Sequence, residues 1–319
     1  MPMQPLRGQI MLTYRCSAAC RHCLVMAAPQ QDPTLVTVAD AVEYGRDFQA
    51  LGRQVLLAGG EALLYFEHVL AICRALREAG VPVGFVESNG SWCTTDERVR
   101  ARLEQLKEAG VEGMYFSIDA FHQEFVPAER VHRGIRLARE VFGLENVYAP
   151  FPSLAEVRAL EGVAADPERL HHAVCSYGVH YLGRSADDLA PLASFVPLEA
   201  LAQENCRADL EIDTLAELQV DPFGYVRPDW CPGVNLGNTR HARLADLART
   251  ERVRQDPLLS DLAEGGPAAL LPLARRFGIT PEPAYASKCH LCFALRRQLV
   301  AHLPDAFGPE HVYQICARQ

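Results

Sequence analysis

The first half of the chain alternates between two hydrophobic periods. Short apolar runs at 8–13, 54–58, 83–87, 114–118, 147–150 and 179–182 each predict a β-strand. Between them, the stretches 67–78 and 98–108 place apolar residues at helical spacing. In the first of these, Val69, Leu70, Ile72, Cys73 and Leu76 share one side. Both stretches end in Ala-Gly, at Gly80 and Gly110, where glycine can take the left-handed conformation that stops a helix. Alternating strands and helices predict an α/β fold built on a parallel sheet with crossover helices. Six such units predict an open, partial barrel with its chemistry at the C-terminal strand ends.

The alternation breaks near residue 190. A short helical stretch leads to Cys206, and a hairpin is predicted around Asp221-Pro222-Phe223-Gly224-Tyr225-Val226. Two helical runs and a final basic helix, opened by Cys289-His290-Leu291-Cys292 and carrying Arg296 and Arg297, complete the chain. The expected division is therefore a core at 1–190 and a small α+β domain at 191–319. No internal repeat or low-complexity tract interrupts this pattern.

Composition narrows the partners. The 319 residues carry 31 basic and 40 acidic side chains, a net charge of −9, which offers no basic footprint for a nucleic-acid backbone. No stretch reaches the roughly 18 uninterrupted apolar residues of a membrane span. The first seven residues lack the apolar core of a secretion signal, so a reducing cytoplasm is expected. In that setting the 11 cysteines point to cluster ligation and free thiols and not to a disulfide framework.

Cys16, Cys20 and Cys23 follow the first apolar run in the spacing C-x3-C-x2-C. Three thiolates can hold three corners of a [4Fe–4S] cluster and leave the fourth iron open to a small molecule. A zinc site with His22 as a further ligand is the alternative. At the end of the second strand, Ala58-Gly59-Gly60-Glu61 brings two residues without side chains beside a carboxylate, a place where backbone can approach a ligand closely.

The cysteine spacing is the signature of the radical S-adenosylmethionine (SAM) enzymes, and the chain resembles that superfamily along its length. The resemblance implies a partial (β/α)6 barrel and a SAM-binding [4Fe–4S] cluster on Cys16, Cys20 and Cys23. It also implies that Gly59, Gly60 and Glu61 bind the methionine amine of SAM. Ser88-Asn89-Gly90 resembles the Thr-Asn-Gly-like turn of the family. Ser117 and Asp119 stand where polar groups meet the ribose or carboxylate, and His122 could face the same cavity. Gly183-Arg184-Ser185-Ala186 resembles a segment near the SAM carboxylate, which a guanidinium binds through two parallel bonds.

Cys206, Cys231, Cys289 and Cys292 are ordered as in the twitch domain, a shortened SPASM domain. This implies a second, auxiliary [4Fe–4S] cluster, with a four-thiolate zinc site as the alternative. Four such thiolates would cross-link a domain with little core of its own. Cys73 is expected in the core. Cys175 and Cys316 have no partner pattern, and Cys93 could lie near the cavity.

Radical SAM peptide epimerases resemble the chain most over Gly59-Gly60-Glu61, Ser88-Asn89-Gly90-Ser91-Trp92, Ser117-Ile118-Asp119-Ala120-Phe121-His122 and Ser287-Lys288-Cys289-His290-Leu291-Cys292. Those enzymes carry adjacent cysteines after the hairpin, one a ligand and one a hydrogen-atom donor. Here Arg227-Pro228-Asp229-Trp230-Cys231-Pro232 holds a single, displaced cysteine. The resemblance thus implies hydrogen abstraction from a peptide, ending in epimerisation, cross-linking or oxidation, with flavodoxin or ferredoxin as reductant. The alternative is a small-molecule dehydrogenase whose auxiliary cluster accepts an electron, as in aminocyclitol dehydrogenases. A non-catalytic metal-binding protein is a remote third. The core begins by residue 8, leaving no room before it for a leader-recognition domain, which favours a small substrate or a peptide recognised by other means.

Overall fold

The computed structural model describes residues 6–176 and 178–314. The chain divides into two compact units, one running to Cys20 and resuming over Ala27–Ala173, the other comprising Arg21–Met26 and the chain from Val174 onward.

The first unit is a parallel sheet of five strands: β1 (Arg7–Met11), β2 (Gln54–Ala58), β3 (Val83–Ser88), β4 (Val111–Phe116) and β5 (Val147–Tyr148). Each strand pairs with the next in sequence, in the registers Ile10↔Leu57, Leu57↔Val86, Val86↔Met114 and Met114↔Val147. Helices α1 (Val38–Ala50), α2 (Phe66–Glu78), α3 (Asp96–Glu108) and α4 (Ala128–Phe142) form the crossovers. Two of their starts are set by side-chain caps: Thr37 accepts from the N–H of Asp40 and Thr95 from that of Arg98. The Ala-Gly stops behave as expected, with Gly80 at φ 74° and Gly110 at φ 100°. Ile10, Leu57, Val69, Leu76, Val86, Leu103 and Phe116 are buried between helices and sheet.

Along β3 and β4, residues that point away from this core are only partly buried. Phe85 stacks on Tyr115 and Tyr115 on Tyr148, with ring centroids 5.8 and 4.5 Å apart. Glu87 lies farther along β3 and Ser117 just beyond β4, so the sheet presents an aromatic row leading to polar groups at the strand ends. Helices α5 (Leu154–Leu160) and α6 (Pro167–Ser176) follow β5. The apolar run 147–150 shortens to a two-residue strand because Pro150 has no N–H to donate to a ladder.

The sixth predicted strand does not form. At 179–182 the backbone carbonyls are claimed locally: Leu182 donates to the carbonyl of His180, and the Ser185 hydroxyl, on helix α7 (Arg184–Asp188), bonds the carbonyls of His180 and Leu182. The second unit also holds a two-residue strand, β6 (Val196–Pro197). The predicted hairpin is present as β7 (Glu217–Val220) and β8 (Tyr225–Pro228), extended by β9 (Gly237–Asn238), all antiparallel. A last short strand, β10 (Ala284–Tyr285), pairs with β6, and the basic helix spans Lys288–Leu299. Among the described residues no helix is long and apolar enough to cross a membrane.

Candidate active site

The loop after β1 carries the three N-terminal cysteines and is closed at its base by backbone. Cys16 donates its N–H to the carbonyl of Ala28 at 3.2 Å, and Ala28 donates to Tyr14 at 3.4 Å. Cys16 and Cys20 are buried, Cys23 is half-buried, and none is in a disulfide.

The turn after β2 lies against this loop. Gly60 donates to the carbonyl of Thr13 at 2.7 Å and Glu61 to that of Arg15 at 2.9 Å. A Cβ at Gly60 would stand 2.2 Å from the Arg15 carbonyl oxygen, so only glycine fits. The carbonyls of Gly59 and Gly60 accept no hydrogen bond from the described chain, which leaves two acceptors at the strand end.

Glu61 does something the sequence did not disclose. Its carboxylate is buried and accepts from Leu63 N–H at 3.1 Å, Ser88 hydroxyl at 3.0 Å and Asn89 N–H at 2.8 Å. It therefore ties the turn after β2 to the turn after β3. Burial pushes its pKa up to about 7 against the pull of those three donors, and nearby Glu87 adds to the rise. Trp92, whose indole N–H donates to the Ser88 hydroxyl at 2.9 Å, completes this buried network.

Asn89 reaches back to the cysteine loop. Its side-chain amide donates to the Ser17 hydroxyl at 3.1 Å and to the Cys16 sulfur at 3.6 Å, while the Ser17 and Ser91 hydroxyls are 2.7 Å apart. After β4, the Ser117 hydroxyl bonds Glu87 at 2.7 Å, and Gln9 approaches the same carboxylate at 3.4 Å. Asp119 caps the next turn, accepting from the N–H groups of Phe121 and His122, and pairs with His122 Nδ1 at 2.7 Å. For His122, burial works against the charged ring, but the Asp119 carboxylate outweighs it and raises the pKa above the usual histidine value.

Three thiols on a closed loop, an amide donor aimed at one of them, and a backbone cradle that a Cβ would fill suit an iron–sulfur cluster and the amino acid end of SAM. The comparison with known families agrees. Residues 10–148 match the model described as "Radical SAM superfamily". That stretch of the chain is similar to a radical SAM domain.

Two solved structures are similar to the chain. One is described as "Crystal structure of BtrN in complex with AdoMet and 2-DOIA"; it is 15% identical, with 84% of this chain and 90% of that chain covered, at a TM-score of 0.48. The other, a histidine-tagged form of "anSMEcpe with bound AdoMet", is 11% identical, with 94% and 97% covered, at a TM-score of 0.46. No curated protein matches the sequence.

Within residues 10–148, sequence reading selected Gly59, Gly60, Asn89, Ser117 and Asp119, and all stand at or just beyond strand ends. It missed Ser17, Glu87 and Trp92, which hold the selected residues. Their one visible signal was position, next to Cys16, Ser88 and Cys93. Cys93 is fully buried against α4, where a Cβ on Gly134 would stand 2.7 Å from its sulfur. Cys73 is likewise core, its thiol pushed up to about 12 by burial, and Cys175 is exposed. Cys316 lies outside the described residues.

In the second unit, the N–H of Arg184 donates to the carbonyl of Cys23 at 2.9 Å, and the Arg184 side chain is buried. Asp187 on the same helix forms two bonds with Arg297, at 2.9 and 2.7 Å, joining α7 to the Lys288–Leu299 helix. That helix presents Cys289 and Cys292 on its first turns, behind the Ser287 cap. Lys288 spans to the Cys206 segment through the Asn205 carbonyl at 2.7 Å and Asp209 at 2.8 Å. The Cys231 sulfur bonds the Asp209 carbonyl at 3.7 Å. Burial raises the thiols of Cys206 and Cys289 to about 12 and that of Cys231 well above its usual value, and neighbouring cysteines raise these three further. The four thiols are close enough to interact, and a cation bound among them would have to displace the protons of Cys206, Cys231 and Cys289.

Proposed function

We propose that the protein is a radical SAM enzyme that abstracts a hydrogen atom from a peptide and uses a second [4Fe–4S] cluster held by Cys206, Cys231, Cys289 and Cys292. The observation that carries the reading is the hydrogen-bonded convergence of the Cys16 loop, the Gly59–Gly60–Glu61 turn and the Ser88–Asn89 turn at adjacent strand ends. Cys16, Cys20 and Cys23 would hold a cluster that, with SAM bound, would supply radical chemistry for hydrogen abstraction.

The protein's own groups have separable tasks in this reading. The carbonyls of Gly59 and Gly60 accept from the ammonium of SAM. Glu61 holds the geometry of both turns from behind, in place of the direct contact expected from sequence. Asn89 steadies the Cys16 sulfur, and Ser117 and Asp119 line the rim toward the ribose. Arg184 donates its N–H to the Cys23 carbonyl, and the resemblance gives its guanidinium the role of binding a carboxylate. The aromatic row Phe85–Tyr115–Tyr148 gives an apolar floor that limits water beside a radical.

The stretches shared with peptide epimerases support a peptide substrate. One observation favours the dehydrogenase reading instead: Cys231 interacts with the other three thiols of its quartet and has no neighbouring cysteine to return a hydrogen atom. That arrangement suits an oxidative outcome, for which a cluster held by these four thiols would supply an electron acceptor. Mass spectrometry of candidate peptides after anaerobic turnover in deuterated water tests the choice. A modified peptide supports the proposal. Unmodified peptides beside a small alcohol oxidised by two electrons support the alternative.

A further inference from the structure

We propose that Arg296 sets the reduction potential of the auxiliary cluster, as a buried cation that donates a hydrogen bond to the sulfur of Cys292. The inference rests on the reading that the quartet holds a four-iron cluster.

Arg296 stands one helical turn after Cys292, on the same face, and its side chain is 1% exposed. Its Nε donates to the Cys292 Sγ at 3.2 Å. Its Nη1 donates to the carbonyl of Pro232 at 2.7 Å and lies 3.1 Å from the Tyr313 hydroxyl. Pro232 directly follows Cys231, so one guanidinium braces the segments of two cysteines. The rings of Phe293 and Tyr313 flank it, at 6.0 and 5.8 Å from their centroids. Tyr313 is itself held by the carbonyl of Phe307 at 2.8 Å.

Among the described residues, what this set lacks is a carboxylate. A guanidinium stays charged in proteins, and burying it without an anion is strongly unfavourable. Other arginines in this unit follow the ordinary rule. Arg227, fully buried, has Asp221 at 3.5 Å, and Arg297, the very next residue, has its two bonds to Asp187. Arg296 alone of these three turns to a thiol.

A four-iron cluster with four thiolates carries net negative charge in both states and one unit more when reduced. A fixed cation beside a ligand sulfur therefore favours the reduced state. An N–H···S bond acts in the same direction by drawing electron density from the ligand. Both effects raise the potential and ease transfer of an electron into this cluster.

The test is a redox titration of the full chain, reconstituted anaerobically and followed by electron paramagnetic resonance. Cys16, Cys20 and Cys23 are changed to Ala so that only the second cluster is read. In Arg296→Gln the midpoint should move negative by at least tenfold in the one-electron equilibrium, about 59 mV. Arg296→Lys, which keeps the charge and loses the planar donor, should fall between. Arg297→Gln should leave the midpoint unchanged. An Arg296→Gln protein that keeps four irons at the parent potential overturns the proposal.

If Arg296→Gln fails to hold iron, the unaltered arginine decides. With 15N-arginine in the chain, the reduced cluster should show coupling to a nitrogen-15 nucleus, and its absence overturns the proposal. A cysteine-to-alanine parent that binds no iron fails at the earlier step, the auxiliary cluster itself, and takes this inference with it.

Discussion

Glu61 shows how a residue recognised by its motif can work by other means. The Gly-Gly-Glu segment, a common turn on its own, was legible because it stands one βα unit after the three cysteines. Which atoms meet the ligand was not legible, since that depends on Ser88 and Asn89, nearly thirty residues away. The buried carboxyl has a pH signature. Its folded pKa of about 7 lies above its unfolded value, so its share of stability is present below about pH 4.5 and lost as pH rises through about 7. Glu61→Gln should flatten that loss. Thermal midpoints taken from about pH 5 to about pH 8 should fall more steeply for the parent than for the variant. Parallel slopes would place Glu61 in a less buried setting. At Gly60, an added Cβ meets backbone and not a flexible side chain, so Gly60→Ala should displace the turn and abolish SAM cleavage while secondary structure by circular dichroism persists.

Elements were legible where local signals agreed with the tertiary context. The strands β1 to β4 followed from apolar periodicity, and helices α2 and α3 from helical spacing and Ala-Gly stops. The run at 179–182 satisfies the same periodicity, yet it forms no strand because the carbonyls of His180 and Leu182 are taken by Leu182 and Ser185. That competition involves a hydroxyl three to five residues onward, outside the window that a strand pattern reads. The threonine caps are open to a direct check. Thr95→Ala removes the acceptor for Arg98 N–H at the start of α3, a position where acidic Asp96 and Glu97 already favour the helix. Chemical denaturation should show a loss of about 1 kcal/mol, without change in cluster content.

For the whole molecule, the cysteines gave the chemistry away because metal ligation demands particular atoms at particular spacings. The groups that tune those cysteines left no such trace. Arg296 and Arg297 read alike in sequence, as a basic helix, and only packing gives one a sulfur and the other a carboxylate. Two four-iron sites predict about eight irons per chain after anaerobic reconstitution, and about four when Cys16, Cys20 and Cys23 are alanine. Four irons in the unaltered chain would leave the second unit without its cluster.

The most direct test of the radical SAM assignment is chemical. Protein loaded with iron and sulfide, mixed anaerobically with dithionite and SAM, should form 5′-deoxyadenosine and methionine, and the variant with Cys16, Cys20 and Cys23 changed to alanine should form none. Fully loaded protein that leaves SAM intact would contradict the account.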